Sequence, residues 1–191
     1  MNLIFSKTIF AFYIMIENIK LFFEITKFRL SLLVALSSVF GFFISSSKVD
    51  INEVFILLVG GYLISSSSVI NNQILEKDLD KMMNRTNKRP IPTGRISVYK
   101  SVIMSIFSMI IGLFLISFYL NIYAALLSFI SLILYSFVYT PMKKFGPIAV
   151  FIGAIPGALP PLIGWVASTG QIPLEAIIIF SLSGITPIKG I

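Results

Sequence analysis

Long apolar runs, separated by short charged loops, restrict what this chain can fold into. The runs cover residues 30–45, 54–70, 102–120, 122–139 and 148–166. Crossing the hydrocarbon core of a bilayer takes about 20 helical residues, and a helix satisfies its own backbone polar groups there. The pattern predicts an all-α, polytopic transmembrane bundle with five complete spans, followed by the start of a sixth near Leu174.

The composition agrees with a bilayer protein and excludes several kinds of chemistry. Apolar residues make up 57% of the chain and charged residues 12%, whereas about a quarter of a soluble domain is charged. The chain contains neither cysteine nor histidine. Disulfides, thiolate nucleophiles, zinc sites of the Cys/His type and histidine ligation of haem iron are therefore excluded within these residues. Any metal must be held by oxygen ligands.

The net charge of +7 indicates membrane topology rather than nucleic-acid binding. Basic residues lie between the apolar runs instead of sharing one soluble face. With the N-terminus in the cytoplasm, every lysine and arginine except Lys48 lies on the cytoplasmic side, as the positive-inside rule requires. The sequence predicts an integral protein of the bacterial inner membrane, with an interfacial segment at 1–26, a transmembrane domain at 27–191 and no nucleic-acid partner.

Three acidic residues, Glu76, Asp78 and Asp80, directly follow the second apolar run. On a helix continuing from that run, Asn72, Glu76 and Asp80 repeat every four residues and form one stripe of oxygen ligands, which we call the oxygen stripe. Asp78 lies on the opposite side. The neighbouring carboxylates repel each other, and a Mg²⁺ ion shared with substrate phosphates would offset that repulsion. The alternative is a charge cluster neutralised by nearby lysines, with nothing bound.

Two arginines follow the oxygen stripe. Arg85 and Arg89 are four residues apart, and guanidinium groups bind phosphates through paired hydrogen bonds. The two arginines therefore fit a phosphate ligand beside a metal. Topogenic positive charge explains them as well, and both interpretations are compatible.

In these residues the chain resembles the UbiA-type intramembrane prenyltransferases, and most closely the branch that farnesylates haem. The family's Asn-x-x-x-Asp-x-x-x-Asp metal motif is matched by the oxygen stripe, with Glu76 in place of the first Asp. The branch's continuation, Asp-x-x-Met-x-Arg-Thr-x-x-Arg-Pro, is matched from Asp80 to Pro90. A Lys-Pro-Arg triplet of the first helix corresponds to Lys27-Phe28-Arg29, without the proline.

Two later segments extend the resemblance, which covers residues 22–180. Residues 139–144 (YTPMKK) resemble the family's loop after the fourth helix, and residues 153–165 (GAIPGALPPLIGW) resemble a signature of the haem-farnesylating branch. In the second segment Pro156, Pro160 and Pro161 should break the fifth span and mark a cavity wall, since unbonded backbone is tolerated where protein covers it.

The resemblance implies a nine-helix fold around a central cavity and a prenyl-transfer reaction. A farnesyl group would pass from farnesyl diphosphate to a vinyl group of protoheme IX, converting haem B to haem O. Asn72, Glu76 and Asp80 would hold Mg²⁺ and form the catalytic centre. The residues expected to bind substrate are Arg29, Arg85, Arg89, Tyr139 and Lys143.

The resemblance also implies a second aspartate-rich motif beyond the fifth span, where this chain has only Glu175. We therefore expect a truncated form of a longer ancestor, inactive as residues 1–191 alone. Two other functions fit the same residues. One is prenyl transfer to an aromatic or quinone precursor, and the other is a non-catalytic membrane transporter or assembly factor that binds anions.

Overall fold

The computed structural model describes residues 2–146, 148–172 and 178, and the regular structure in these ranges is helical. The helices are α1 (Asn2–Ile25), α2 (Phe28–Ser45), α3 (Ile51–Leu75), α4 (Lys77–Met82), α5 (Val98–Tyr119), α6 (Ile122–Ile133), α7 (Thr140–Met142) and α8 (Ile148–Thr169). A π-helix, Leu134–Tyr139, joins α6 to α7, and a 3₁₀ turn, Lys143–Phe145, follows α7.

Five helical segments are long and apolar enough to cross a membrane: Phe28–Ser45, Ile51–Leu75, Val98–Tyr119, Ile122–Met142 and Ile152–Thr169. They coincide with the five predicted runs, so the prediction of an all-α, polytopic transmembrane bundle is confirmed. The predicted sixth span, from Leu174, lies outside the described residues.

Polar contacts identify the two ends of the bundle. At one end, the Ser45 and Ser168 hydroxyls are hydrogen-bonded, and Asn121 Nδ2 donates to the Val166 carbonyl oxygen at 2.8 Å. At the other end, Arg95 Nη2 lies 2.6 Å from Glu24 Oε1. The spans therefore alternate in direction. The α1–α2 junction, the 76–97 loop and the 140–145 segment all lie at the second end.

Small residues allow the helix backbones to approach closely, as is usual in membrane bundles. A methyl group added at Gly41 of α2 would overlap the Pro161 carbonyl of α8, and one at Gly164 would overlap the Ser38 carbonyl. The α2–α8 contact is therefore a backbone-to-backbone contact at two points. Around it lies a core of fully buried side chains that includes Phe42 and Val166.

The expectation that three prolines break the fifth span is wrong. α8 contains Pro156, Pro160 and Pro161 and is one helix throughout Ile148–Thr169. Each proline removes one backbone donor from the helix. Pro156 and Pro160 line a cavity, whereas the Pro161 carbonyl meets Gly41 of α2. Two of the three prolines therefore form part of a cavity wall, as predicted, and none of them ends the helix.

Gly164→Ala should destabilise the protein by about 1–3 kcal/mol, because the added methyl group overpacks the α2–α8 contact. Gly157→Ala in the same helix is the matched control, since no atom lies within 4 Å of the Cβ position there. Thermal unfolding of the purified proteins in detergent measures the difference. Equal stabilities for the two variants would contradict the close backbone contact.

Candidate functional site

The oxygen stripe is present, but the helix that carries it is not continuous. α3 ends at Leu75, and Glu76, with φ −93° and ψ 4°, joins it to α4. Backbone hydrogen bonds from Glu76 N to Asn72 O (3.0 Å) and from Asp80 N to Glu76 O (2.8 Å) preserve the four-residue spacing. The prediction of an uninterrupted helix is wrong at Glu76, where the apolar run gives way to charged residues that favour the membrane boundary.

Lys143 contacts the first two members of the oxygen stripe. Its Nζ lies 3.0 Å from Glu76 Oε1 and 3.2 Å from Asn72 Oδ1. The Thr140 hydroxyl donates to the same Asn72 oxygen at 3.0 Å. Asn72 and Thr140 are both buried, so these contacts fix the orientation of the amide. The predicted residues Asn72, Glu76 and Lys143 thus form one cluster, and Thr140 joins it although the sequence analysis did not select it.

The π-helix, a feature often found at functional sites, leads into Lys143. Tyr135, Tyr139 and Lys143 repeat every four residues, and the two tyrosine rings are 5.4 Å apart between centroids. Lys143 Nζ lies 5.0 Å from the centroid of Tyr139, within the range of a cation–π interaction. Tyr139, a predicted substrate-binding residue, therefore supports the ammonium group that contacts Glu76.

Arg89 contacts the third member of the oxygen stripe. Its Nη1 lies 2.6 Å from Asp80 Oδ2, and the Asp80 side chain is only 4% exposed. The Thr86 hydroxyl donates to the Asp80 carbonyl oxygen at 3.2 Å and so holds the intervening turn. Arg85, by contrast, is exposed. The structure brings one of the two predicted arginines to the stripe and leaves the other at the surface.

In the first-helix triplet, Lys27 is more buried than the predicted substrate-binding residue Arg29. Arg29 is exposed, whereas Lys27 is partly buried at the α1–α2 junction. The pKa of Lys27 is lowered by burial and then by the positive charges of Arg89 and Lys143, and the Asp80 and Glu76 carboxylates partly oppose this. Within the described residues, neither Arg29 nor Arg85 forms an ion pair, and their roles remain predictions.

The backbone of Lys27 is left-handed, with φ 45° and ψ 59°, which is strained for a residue with a side chain. Hydrogen bonds hold the two preceding residues. Gln73 Nε2 donates to the Ile25 carbonyl oxygen at 2.6 Å, and the Ser31 hydroxyl donates to the Thr26 carbonyl oxygen at 2.7 Å. The strained junction is thus tied directly to α3, one residue after Asn72.

An apolar cavity of about 150 Å³ adjoins the site. Ser68 and Val69 of α3 line it one turn before Asn72, and Tyr135 lines it at the π-helix. Other lining residues come from α2, α3, α6 and α8 and include Val34, Ile64, Leu132 and Ile163. The charged cluster therefore lies next to an apolar hollow inside the bundle.

The oxygen donors fit magnesium in their chemistry. Mg²⁺ in proteins is commonly held by one or two carboxylates, together with waters and substrate phosphates. The oxygen stripe offers two carboxylates and one amide oxygen. Within the described residues, no group of three or more acidic side chains could hold a metal. A magnesium ion at this position would therefore need further oxygens from water or a bound ligand.

The family model described as the UbiA prenyltransferase family matches residues 33–186. The chain belongs to the UbiA prenyltransferase family. It is an integral membrane protein, as its five spans and this family membership indicate.

Curated relatives agree with the family assignment. The chain is 44% identical over 169 residues to protoheme IX farnesyltransferase of Cytophaga hutchinsonii, which covers 88% of this chain and 59% of the relative. It is 41% identical over 152 residues to the protein of the same name from Christiangramia forsetii, covering 80% of this chain and 50% of the relative. The chain thus spans about half the length of the curated relatives it matches.

Solved structures share the fold. A digeranylgeranylglyceryl phosphate synthase superposes with a TM-score of 0.79 at 24% identity, covering 90% of this chain and 60% of that one. A UbiA homologue from Archaeoglobus fulgidus bound to DMAPP and Mg²⁺ superposes with a TM-score of 0.71 at 18% identity, covering 86% and 60%. These similarities confirm the UbiA fold.

Arg89→Met should destabilise the protein by about 3–5 kcal/mol, because it leaves the buried Asp80 carboxylate without its cation. Arg85→Met, which removes the same charge from an exposed position four residues away, should change stability by less than about 0.5 kcal/mol. Thermal unfolding in detergent compares the two. A similar loss in both variants would show that general loop charge, rather than the Asp80 pair, provides the stabilisation.

Proposed function

We propose that this chain carries the diphosphate-binding site of a membrane enzyme that transfers a farnesyl group from farnesyl diphosphate to a vinyl group of protoheme IX. The observation that carries the proposal is the oxygen stripe, paired with Lys143 and Arg89, beside an apolar cavity. The protoheme IX farnesyltransferases among the curated relatives support the identity of donor and acceptor.

In the proposed reaction, the allylic C1–O bond of farnesyl diphosphate breaks and its electron pair leaves with pyrophosphate. The haem vinyl group supplies the electrons for the new C–C bond at C1. Water then adds to the resulting cation and releases a proton, giving a hydroxyethylfarnesyl side chain. The difficult step is the first one, because it separates a carbocation from a highly charged leaving group, and the protein must stabilise both.

The basic residues of the site suit the leaving group. Lys143 and Arg89 lie against the stripe that would meet the diphosphate, and Lys27 adds a third positive charge nearby. Asn72, Glu76 and Asp80 would hold Mg²⁺, which when bound would neutralise further charge on the diphosphate oxygens. The Archaeoglobus fulgidus homologue, bound to DMAPP and Mg²⁺, supports this pairing of metal and prenyl diphosphate.

The apolar cavity suits the prenyl chain of the donor. It begins one turn of α3 before Asn72, and its lining combines aliphatic side chains and prolines with serine hydroxyls. A farnesyl group placed there would have its C1 end at the charged cluster and its tail inside the bundle. Helices around the cavity would exclude bulk water from the allylic cation.

The proposed orientation puts the charged cluster on the cytoplasmic side of the bacterial inner membrane, with the N-terminus in the cytoplasm. The positive-inside rule supports it, because the basic loops at 77–100 and 143–144 lie at the same end of the bundle. Lys48, between α2 and α3, lies at the other end.

Glu76→Ala should lower haem O formation by about 100-fold or more, because the Mg²⁺ that would stabilise the leaving group loses a carboxylate ligand. Asp78→Ala is the matched control: Asp78 is exposed and lies outside the stripe, so activity should remain. The assay uses membranes from cells that express the protein from its native gene, with any coding sequence that follows residue 191. Mass spectrometry detects haem O after addition of farnesyl diphosphate, Mg²⁺ and protoheme IX.

A parallel reaction with 4-hydroxybenzoate in place of protoheme IX tests the acceptor. Prenylation of the phenol without haem O formation would refute the haem assignment and favour an aromatic acceptor. Full activity of Glu76→Ala would refute the role of the oxygen stripe.

Single-cysteine variants test the orientation, since the chain contains no cysteine of its own. A membrane-impermeant maleimide should label Lys48→Cys in intact spheroplasts and label Lys88→Cys only after lysis, because the two positions lie on opposite sides of the bilayer. Gel shift after labelling measures the difference. The reverse pattern would place the N-terminus outside the cytoplasm.

A further inference from the structure

The acidic side chains of the oxygen stripe are already neutralised within the chain. Glu76 is paired with Lys143 at 3.0 Å, and Asp80 with Arg89 at 2.6 Å. The Glu76 and Asp80 side chains are 18% and 4% exposed, and their partners Lys143 and Arg89 are 31% and 19% exposed. Both pairs are therefore partly shielded from water, and their attraction is stronger than at an open surface. Each carboxylate assigned to the metal therefore has a cation of the protein against it.

Lys27 is a further basic residue at this end of the bundle. It is partly buried at the α1–α2 junction, which the Gln73–Ile25 hydrogen bond ties to α3 one residue after Asn72. A divalent metal entering alone would have to displace Lys143 and Arg89 from Glu76 and Asp80, while a diphosphate entering alone would have to compete with Glu76 and Asp80 for their partners. Either ligand by itself meets an electrostatic obstacle that the other removes.

We propose that Lys143 and Arg89 are internal counterions that make the binding of Mg²⁺ and of diphosphate interdependent. Glu76 and Asp80 become available to the metal when the diphosphate takes Lys143 and Arg89. This inference rests on the proposed function, because it concerns the same site.

The exchange keeps all four charges of the two ion pairs partnered. The carboxylates pass from ammonium and guanidinium groups to the metal, and the two cations pass from carboxylates to phosphate oxygens. Metal binding without diphosphate would instead leave Lys143 and Arg89 without partners, which is unfavourable for partly buried cations. By linkage, the factor by which diphosphate tightens metal binding equals the factor by which metal tightens diphosphate binding.

A counterion role for Lys143 and a simple phosphate-binding role predict different effects on metal affinity when the charge of Lys143 is removed. If Lys143 blocks Glu76, removing its charge should strengthen metal binding in the absence of diphosphate. If Lys143 only contacts phosphate, the same substitution should not change metal affinity in the absence of diphosphate. Metal affinity without diphosphate is therefore the discriminating quantity, and it requires no catalytic turnover.

Electron paramagnetic resonance of Mn²⁺, used in place of Mg²⁺, measures metal binding to the full chain in lipid nanodiscs. Titrations are made with and without inorganic pyrophosphate, and a protein-free titration corrects for Mn²⁺–pyrophosphate complexes. Pyrophosphate should tighten protein-bound Mn²⁺ by about tenfold or more in the unmodified protein, within the usual range of coupling between sites.

Lys143→Met should tighten Mn²⁺ binding without pyrophosphate by about tenfold and should reduce the coupling. Lys144→Met is the matched control, because Lys144 is the exposed neighbour in the same 3₁₀ turn, and it should behave as the unmodified protein. Monodisperse elution and thermal unfolding verify that each variant is folded.

Glu76→Gln provides a second test, in which the carboxylate rather than the cation of the pair loses its charge. It frees Lys143 while keeping the size of the side chain, so pyrophosphate should bind more tightly without metal, as measured by isothermal titration calorimetry. Equal Mn²⁺ affinity with and without pyrophosphate, or unchanged Mn²⁺ affinity in Lys143→Met, would overturn the interdependence. Haem O formation tests the proposed function separately. The proposed function would therefore stand if haem O forms but metal and pyrophosphate bind independently. Absence of both metal and pyrophosphate binding would overturn both proposals.

Discussion

The pairing of acidic and basic side chains at the end of α3 is the constraint on which the arrangement of the site depends. Carboxylates next to a bilayer are costly unless they are neutralised, and this chain neutralises them with residues from two different loops. Lys143 connects the 140–145 segment to Glu76, and Arg89 connects the 76–97 loop to Asp80. The same contacts that stabilise the charges therefore position the loops above the cavity.

Both loops are anchored by further contacts besides the two ion pairs. Arg95 pairs with Glu24 and joins the 76–97 loop to α1, while buried Ile25, Ile70 and Ile91 pack together beneath it. The π-helix and Thr140 hold the other loop against Asn72. Mobile side chains such as lysine and arginine lose conformational freedom when they are fixed, and these supports restrict them before any ligand binds. Such preorganisation favours a site that acts on developing charge.

The transmembrane bundle and the identity of the oxygen stripe could be predicted from the sequence because both depend on local spacing. Apolar runs set the spans, and a four-residue repeat set the stripe of Asn72, Glu76 and Asp80. The pairings were not predictable, because the partner of Glu76 is 67 positions away and reaches it only through tertiary packing. The partial burial of Lys27, which the sequence analysis did not select, was not predictable for a related reason. It accompanies a left-handed backbone at that residue, and no periodicity reveals it.

The π-helix makes the length of the fourth span matter independently of its composition. A π-turn holds one residue more than an α-turn, so deleting one residue within Leu134–Tyr139 would either remove the π-turn or rotate the side chains that follow it by about 100°. In either case the arrangement of Tyr135, Tyr139 and Lys143 would change, although the residues next to Lys143 would be intact. Among homologues, insertions and deletions should therefore be tolerated far less in this segment than substitutions, and its register would be inherited as a unit with the lysine that follows it.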